Sequence, residues 1–307
     1  MNSEKDFIDF INPKDFKSLA RSISLIENEV PGYEDLLLKL NPSSSKIIGI
    51  TGAPGAGKSS LADALIGEMV KDKKKVGVLC VDPSSPFNNG ALLGDRIRMS
   101  EWYNHPDVFI RSLASKGSLG GLHPKIMEIA DLMRSAGFDY VIIETVGVGQ
   151  SEVDIVALAD ITIVMLVPEG GDVIQTMKAG LMEVADIFVI NKYDRPDAAT
   201  FYNSLKQMLA PVFHHSTKEI PVLKTIAFQK EGVKELYTII SKWKDDKNKK
   251  HQLELMTEKV LSIILNKKMK EINKDELKKE LSEAAFKPSF NMYAFAQKYN
   301  DDKKRII

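Results

Sequence analysis

Short apolar runs rich in β-branched residues recur through the middle of the chain: KIIGIT at 46–51, KVGVLCV at 75–81, VFIRSL at 108–113, YVIIET at 140–145, ITIVMLV at 161–167, ADIFVI at 185–190 and IPVLKTI at 220–226. Helical segments separate them. This alternation predicts an α/β fold, a mostly parallel sheet flanked by helices on both faces. Ahead of it, FKSLARSISLIENEV has the apolar spacing of a helix, before Pro31-Gly32 and the NPSSS break. After WKDDKNKKHQ the chain turns rich in Lys and Glu, with Leu253, Met256, Val260 and Ile264 at amphipathic helical spacing and Pro288 placed to end or bend a helix. The expected organisation is an N-terminal helical extension at 1–44, an α/β domain at 45–246 and a C-terminal helical extension at 247–307.

Composition narrows the class. At 307 residues, 44% hydrophobic and 27% charged, the chain is expected to be soluble and globular, with one large core or a core plus appendages. Its 42 Lys and Arg balance 42 Asp and Glu, so no basic excess points to nucleic acid or an anionic membrane. MNSEKDFIDF lacks the basic start and apolar run of a secretory signal, and ITIVMLV is too short to span a bilayer. One cysteine, Cys80, rules out an intramolecular disulfide and disfavours a zinc cluster. A cytoplasmic protein is expected.

Between the first apolar run and a helical segment, Gly52-Ala53-Pro54-Gly55-Ala56-Gly57-Lys58-Ser59 fits G-x-x-x-x-G-K-[ST], with Ser60 following. Glycines let backbone N–H groups approach phosphate oxygens, and the helix start adds a field that favours an anion. Lys58 suits the terminal phosphates, and the Ser59 hydroxyl suits Mg²⁺. The full match in this context outweighs a glycine-rich turn with an incidental lysine. Asn191-Lys192-Tyr193-Asp194, closing ADIFVI, fits the N-K-x-D signature of guanine binders. The Asp194 carboxylate would accept from the ring N–H and exocyclic amine of guanine. Adenine offers neither donor there, so Asp194 selects against ATP.

Three acids lie between these motifs. Asp82 in CVDPSSP and Asp95 in GDRIRM are candidates for the metal or its waters, and Glu144 ends YVIIET where a second acidic motif is expected. Each alone can also be read as a helix N-cap or a solvated loop acid, Asp95 most of all. Their grouping with ETVGVGQSEVD favours a nucleotide-sensitive switch, in which Gly147 would present its N–H to the γ-phosphate.

GITGAPGAGKSSLADAL, VDPSSPFNNGALLGDRIRM, ETVGVGQSEVD and NKYD, in this order and spacing, resemble the MeaB/ArgK family of P-loop GTPases, relatives of the metallochaperone GTPases. The resemblance runs from about residue 15 to 240. It implies a homodimeric GTPase, using GTP/GDP and Mg²⁺, that acts as a chaperone for an adenosylcobalamin-dependent acyl-CoA mutase, typically methylmalonyl-CoA mutase. It further implies phosphate and Mg²⁺ roles for Lys58 and Ser59, switch or metal roles for Asp82, Asp95 and Glu144, guanine reading by Asn191, Lys192 and Asp194, and dimerisation through the C-terminal extension. A third switch corresponds to PEGGDVIQTMKAG, where Lys178 would reach towards the nucleotide when a partner docks; without the resemblance it reads as an exposed helix lysine.

Some positions depart from that family's pattern. Thr225-Ile226-Ala227 stands where TSA is usual, leaving the Ala227 N–H as a guanine contact, and His123 in GGLHPK reads as loop structure. No general base is evident; Gln150 suits either water positioning or loop structure, and Arg96 and Arg98 are the nearest arginines to Asp95. In-line water attack with protein groups positioning the reactants is the expected chemistry. The alternatives are a metallocentre-delivery GTPase, for which the histidines are too scattered, an ATP-using transport-protein kinase, which N-K-x-D disfavours, and a nucleotide-regulated scaffold.

Overall fold

All seven apolar runs form strands: β1 (Lys46–Gly52), β2 (Val76–Asp82), β3 (Val108–Ala114), β4 (Tyr140–Glu144), β5 (Ile161–Leu166), β6 (Ile187–Ile190) and β7 (Val222–Lys224). They make one sheet in the order β3-β2-β4-β1-β5-β6-β7, and every neighbouring pair is parallel. This computed structural model describes residues 15–41, 44–82, 99–115, 122–147, 155–156, 158–168, 185–213, 220–243, 249–270 and 272–301.

The strands are apolar almost throughout because helices cover both faces. Side chains alternate across the sheet, so Ile48 and Ile50 of β1 join one core and Ile47 joins the other. The first core is closed by α3 (Lys58–Lys71) and α6 (Val233–Lys242), through Leu61, Leu65, Met69, Leu236 and Ile240. The second is closed by α1 (Phe16–Glu27), α2 (Tyr33–Leu38) and α4 (Ile126–Ser135), through Leu19, Ile23, Ile26, Ile129 and Met133. Leu205 and Leu209 of α5 (Ala198–Phe213) cover Val164, Phe188 and Ile190 in a third.

Polar ties fix the helices to the sheet. Arg111 on β3 donates to Glu27 at 2.9 Å and to Ser24 Oγ at 3.0 Å on α1. Lys125 bridges Glu29 at 2.8 Å and Glu128 at 3.2 Å. Burial alone would pull the Lys125 ammonium down, but the bond to Glu29 and the nearby Glu128 and Tyr33 outweigh it and hold its proton above the ordinary lysine range. Arg134 on α4 donates to both oxygens of Asp160 at 2.9 Å, and Asp160 also accepts from the Ile47 N–H. That clasp sets the start of β1.

The chain separates into two compact units, Met1–Asp245 and Asp246–Ile307. The second contains α7 (Lys249–Lys270), α8 (Lys274–Ala284) and α9 (Met292–Asp301), with Pro288 in the turn between α8 and α9. Asn273 caps α8 by accepting from the Asp275 and Glu276 N–H groups. On α7, Val260 and Ile264 are exposed, and so are Leu261, Ile263 and Leu265, so its apolar residues extend beyond the single stripe expected from the spacing. No described helix is long and apolar enough to cross a membrane.

Candidate nucleotide site

Parallel strands bring their C-terminal ends to one edge of the sheet. The chain runs from β1 to β2 and β3 on one side, and after β4 continues to β5, β6 and β7 on the other, so this edge opens beside β1 at a reversal of strand order. A cavity of about 590 Å³ lies there, with Pro54, Gly55, Gly57, Lys58, Ser59 and Ser60 at one end and Lys192, Asp194 and Arg195 at the other. Its size suits a nucleotide-sized ligand.

At the first end the loop after β1 needs its glycines. Gly52, Gly55 and Gly57 have φ of +144°, +76° and +94°. A Cβ at Gly52 would stand 2.3 Å from the Met165 carbonyl oxygen. α3 begins at Lys58, directly after the loop, so its N-terminal turn, Lys58 to Ser60, lines the cavity, as an anion site requires. The Lys58 ammonium is buried and donates to the carbonyls of Gly52 at 2.9 Å and Ala53 at 3.1 Å. Gly147, with φ +83°, packs directly on this arrangement: a Cβ there would lie 2.4 Å from both Gly52 O and Lys58 Nζ.

Ser59 donates its hydroxyl to Glu144 Oε1 at 2.7 Å, with both side chains buried. The Ser59 proton is therefore directed at the carboxylate, and the serine oxygen is a hard donor of the kind a divalent cation takes. Asp82 is buried at the end of β2, which pairs with β4 through Cys80 and Glu144. All three groups offer hard oxygen. Among the described residues no group of three His, Cys, Asp or Glu side chains forms a metal cage. A cation here would take much of its coordination from phosphate and water, as Mg²⁺ does, and these residues fit that ion.

At the other end, Asn191 acts as a strut. Its Nδ2 donates to the Ala56 carbonyl at 2.8 Å, and its Oδ1 accepts from the Ala227 N–H at 2.9 Å and from the Thr225 hydroxyl at 3.1 Å. One buried amide thus joins the phosphate loop, the N-K-x-D turn and the β7 loop. The Ala227 N–H, expected at the guanine, is given to Asn191. Thr225 supplies a hydroxyl contact of its own beside the unusual Ile226. Lys192 holds φ +54°, and exposed Asp194 lines the cavity. Tyr193 anchors the turn instead: its N–H donates to Thr225 O at 3.1 Å, and Lys224 Nζ lies 4.8 Å from its ring and 4.2 Å from that of Tyr202.

His123 is buried, and its Nδ1 accepts from the Lys125 N–H at 3.0 Å in the turn before α4. Asp95, Arg96, Arg98, Gln150 and Lys178 lie outside the described residues. The sequence reading passed over Arg195 and Phe228, both of which line the cavity. The available signal for Phe228 was an aromatic residue immediately after Thr-Ile-Ala.

Residues 19–285 match the family described as methylmalonyl Co-A mutase-associated GTPase MeaB. A protein of Pyrococcus abyssi (strain GE5 / Orsay) named as a GTPase is 44% identical over 253 residues, covering 80% of this chain and 75% of its own. The methylmalonic aciduria type A homolog, mitochondrial, of Caenorhabditis briggsae is 36% identical over 252 residues, covering 74% of this chain and 60% of its own. A crystal structure of LAO/AO transport system kinase superposes with a TM-score of 0.63 at 24% identity, covering 98% of both chains, and so shares the fold. With a glycine loop, a guanine-type turn and one cavity joining them, the chain belongs to the MeaB family and is a P-loop GTPase that binds guanine nucleotides.

Proposed function

We propose that this GTPase is the chaperone of an adenosylcobalamin-dependent acyl-CoA mutase, typically methylmalonyl-CoA mutase, assisting cofactor loading and protecting the mutase from inactivation. The observation that carries the reading is the match over residues 19–285 to a family described by its association with that mutase. The relative named for methylmalonic aciduria type A supports the same direction.

In the nucleotide cycle, Gly52 to Ser60 cradle the phosphates and Lys58 exchanges the carbonyls of Gly52 and Ala53 for phosphate oxygens. Ser59 would hold Mg²⁺, with Asp82 and Glu144 beside it, and the ion would supply neutralisation of phosphate charge. Asp194 accepts from guanine, and Asn191 keeps its turn in register with the phosphate loop. Water adds to the γ-phosphorus as the bond to the β–γ bridging oxygen breaks, giving GDP and phosphate. Gly147 presents its N–H to the γ-phosphate. Asp95 is assigned to the metal-associated switch and Lys178 to the segment that answers a docked partner. Residues 45–246 form the GTPase domain, 1–44 extend it, and 247–307 form a homodimer contact, for which the exposed Val260, Ile264 and Met269 provide apolar surface. The protein acts in the cytoplasm.

The test is GTP hydrolysis by the chain alone and with an adenosylcobalamin-dependent mutase from the same genome, with ATP and Lys58→Ala as controls. The expected result is acceleration by the mutase, absent with ATP and in the variant. An unchanged rate together with no complex would overturn the chaperone role while leaving the GTPase intact.

A further inference from the structure

We infer that Thr51 and Thr145 are positioning residues for the γ-phosphate: their buried hydroxyl pair holds Gly147 against Lys58 and so lets the site tell GTP from GDP. This rests on the assignment of Gly147 to the γ-phosphate. The apolar runs of β1 and β4 each lead into a threonine, and the two are neighbours across the sheet because Ile50 pairs with Glu144 just before them. Thr145 Oγ1 donates to Thr51 Oγ1 at 3.1 Å, with Thr51 fully buried and Thr145 1% exposed. Valine has the same shape and would suit a core; a buried hydroxyl needs a partner, and each threonine supplies the other's.

The pair stands where it can set the phosphate end. Thr51 immediately precedes Gly52, whose carbonyl accepts from Lys58 Nζ at 2.9 Å. Thr145 lines the cavity, donates its N–H to Ile50 O at 3.1 Å and leads through Val146 to Gly147. A Cβ on Gly147 would lie 2.4 Å from both Gly52 O and Lys58 Nζ, so its backbone packs on the groups that Thr51 leads into. Further along the chain, buried Ile155 returns to the same strand: a Cβ on Gly49 would stand 2.4 Å from its Cγ1 and 3.0 Å from Ala159 Cβ. β1 therefore fixes the chain on both sides of Gly147, by the Thr51 hydroxyl and by the missing side chain of Gly49. The helix start at Lys58 and Ser59 and the Asp194 turn serve the β-phosphate and the base, which GDP also carries. The contact that GTP alone can use is the one at Gly147.

The test measures binding of GDP and of the non-hydrolysable analogue guanylyl imidodiphosphate, both with Mg²⁺, for the full chain, Thr51→Val, Thr145→Val, the double variant and Thr145→Ser. Each single valine is expected to weaken the analogue about 3- to 10-fold, the size of one buried hydrogen bond, and to leave GDP affinity unchanged. The kcat/KM for GTP falls by the same factor. Because the pair acts as a unit, the double variant loses no more than either single one, and Thr145→Ser keeps the native preference. Equal losses for GDP and the analogue would overturn the inference, since a merely structural role moves both. So would additive losses in the double variant, or native analogue affinity in both single variants. Gly147→Ala separates this inference from the reading beneath it. If it leaves analogue affinity unchanged, the γ-phosphate assignment of Gly147 falls and the role of the pair falls with it. If it weakens the analogue while the valine variants do not, the inference alone fails.

Discussion

Ser59 and Glu144 show how much one buried hydrogen bond decides. The hydroxyl donates to Glu144 Oε1 at 2.7 Å, so the carboxylate fixes the direction in which the serine oxygen presents its lone pairs. Partners that orient a metal ligand are typically worth about 10- to 100-fold in metal affinity. Glu144→Gln is therefore expected to raise the Mg²⁺ concentration for half-maximal GTP hydrolysis by roughly that factor; an unchanged Mg²⁺ titration would remove Glu144 from the metal's support. Asn191 makes the complementary point about legibility. Its membership of N-K-x-D was plain in the sequence, and the motif pointed to the base. Its hydrogen-bonding partners lie 135, 36 and 34 positions away, at Ala56, Ala227 and Thr225, and no local pattern specifies such pairings. Phe228 went unread for a related reason: apolar residues ordinarily signal a core, and only the fold shows this one at a cavity mouth.

The elements themselves were legible. Strands buried on both faces must be apolar along their length, and all seven runs produced strands. The attachment of α1 and α2 to the sheet and to α4 was less legible, because it depends in part on Arg111 of β3 reaching Glu27 and on Lys125, just before α4, reaching Glu29. Lys125 makes that attachment pH-dependent. Its folded proton affinity is raised, so its contribution is fully present below the unfolded lysine range, about pH 10.4, and disappears as pH rises through the higher folded value. Lys125→Met is expected to cost about 1 kcal/mol in urea unfolding at pH 8, with the gap to the native chain narrowing above about pH 10.4. A gap that stays constant across that range would place its origin in packing of the lysine stem.

At the scale of the whole molecule, the nucleotide machinery described here lies within Met1–Asp245. α7 in the other unit carries exposed Val260, Leu261, Ile263, Ile264 and Leu265. A chain ending at Asp245 is expected to retain GTP hydrolysis and sediment as a monomer, while the full chain sediments as a dimer. A full chain that is monomeric at micromolar concentration would remove the dimer contact from residues 247–307.

The sequence by itself determined the strands, the phosphate loop and the guanine-type turn, because each follows from local chemistry: burial on both faces, glycines at positive φ before a helix, and a carboxylate placed at a strand end. Only the tertiary structure decided which groups share a site. The sheet order sets Glu144 against Ser59, binds Asn191 to both the phosphate loop and the β7 loop, and leaves Phe228 at the cavity. The physical reason is that hydrogen bonds and cavities are made by neighbours in space, and in a parallel sheet those neighbours are strand ends separated by whole crossover connections.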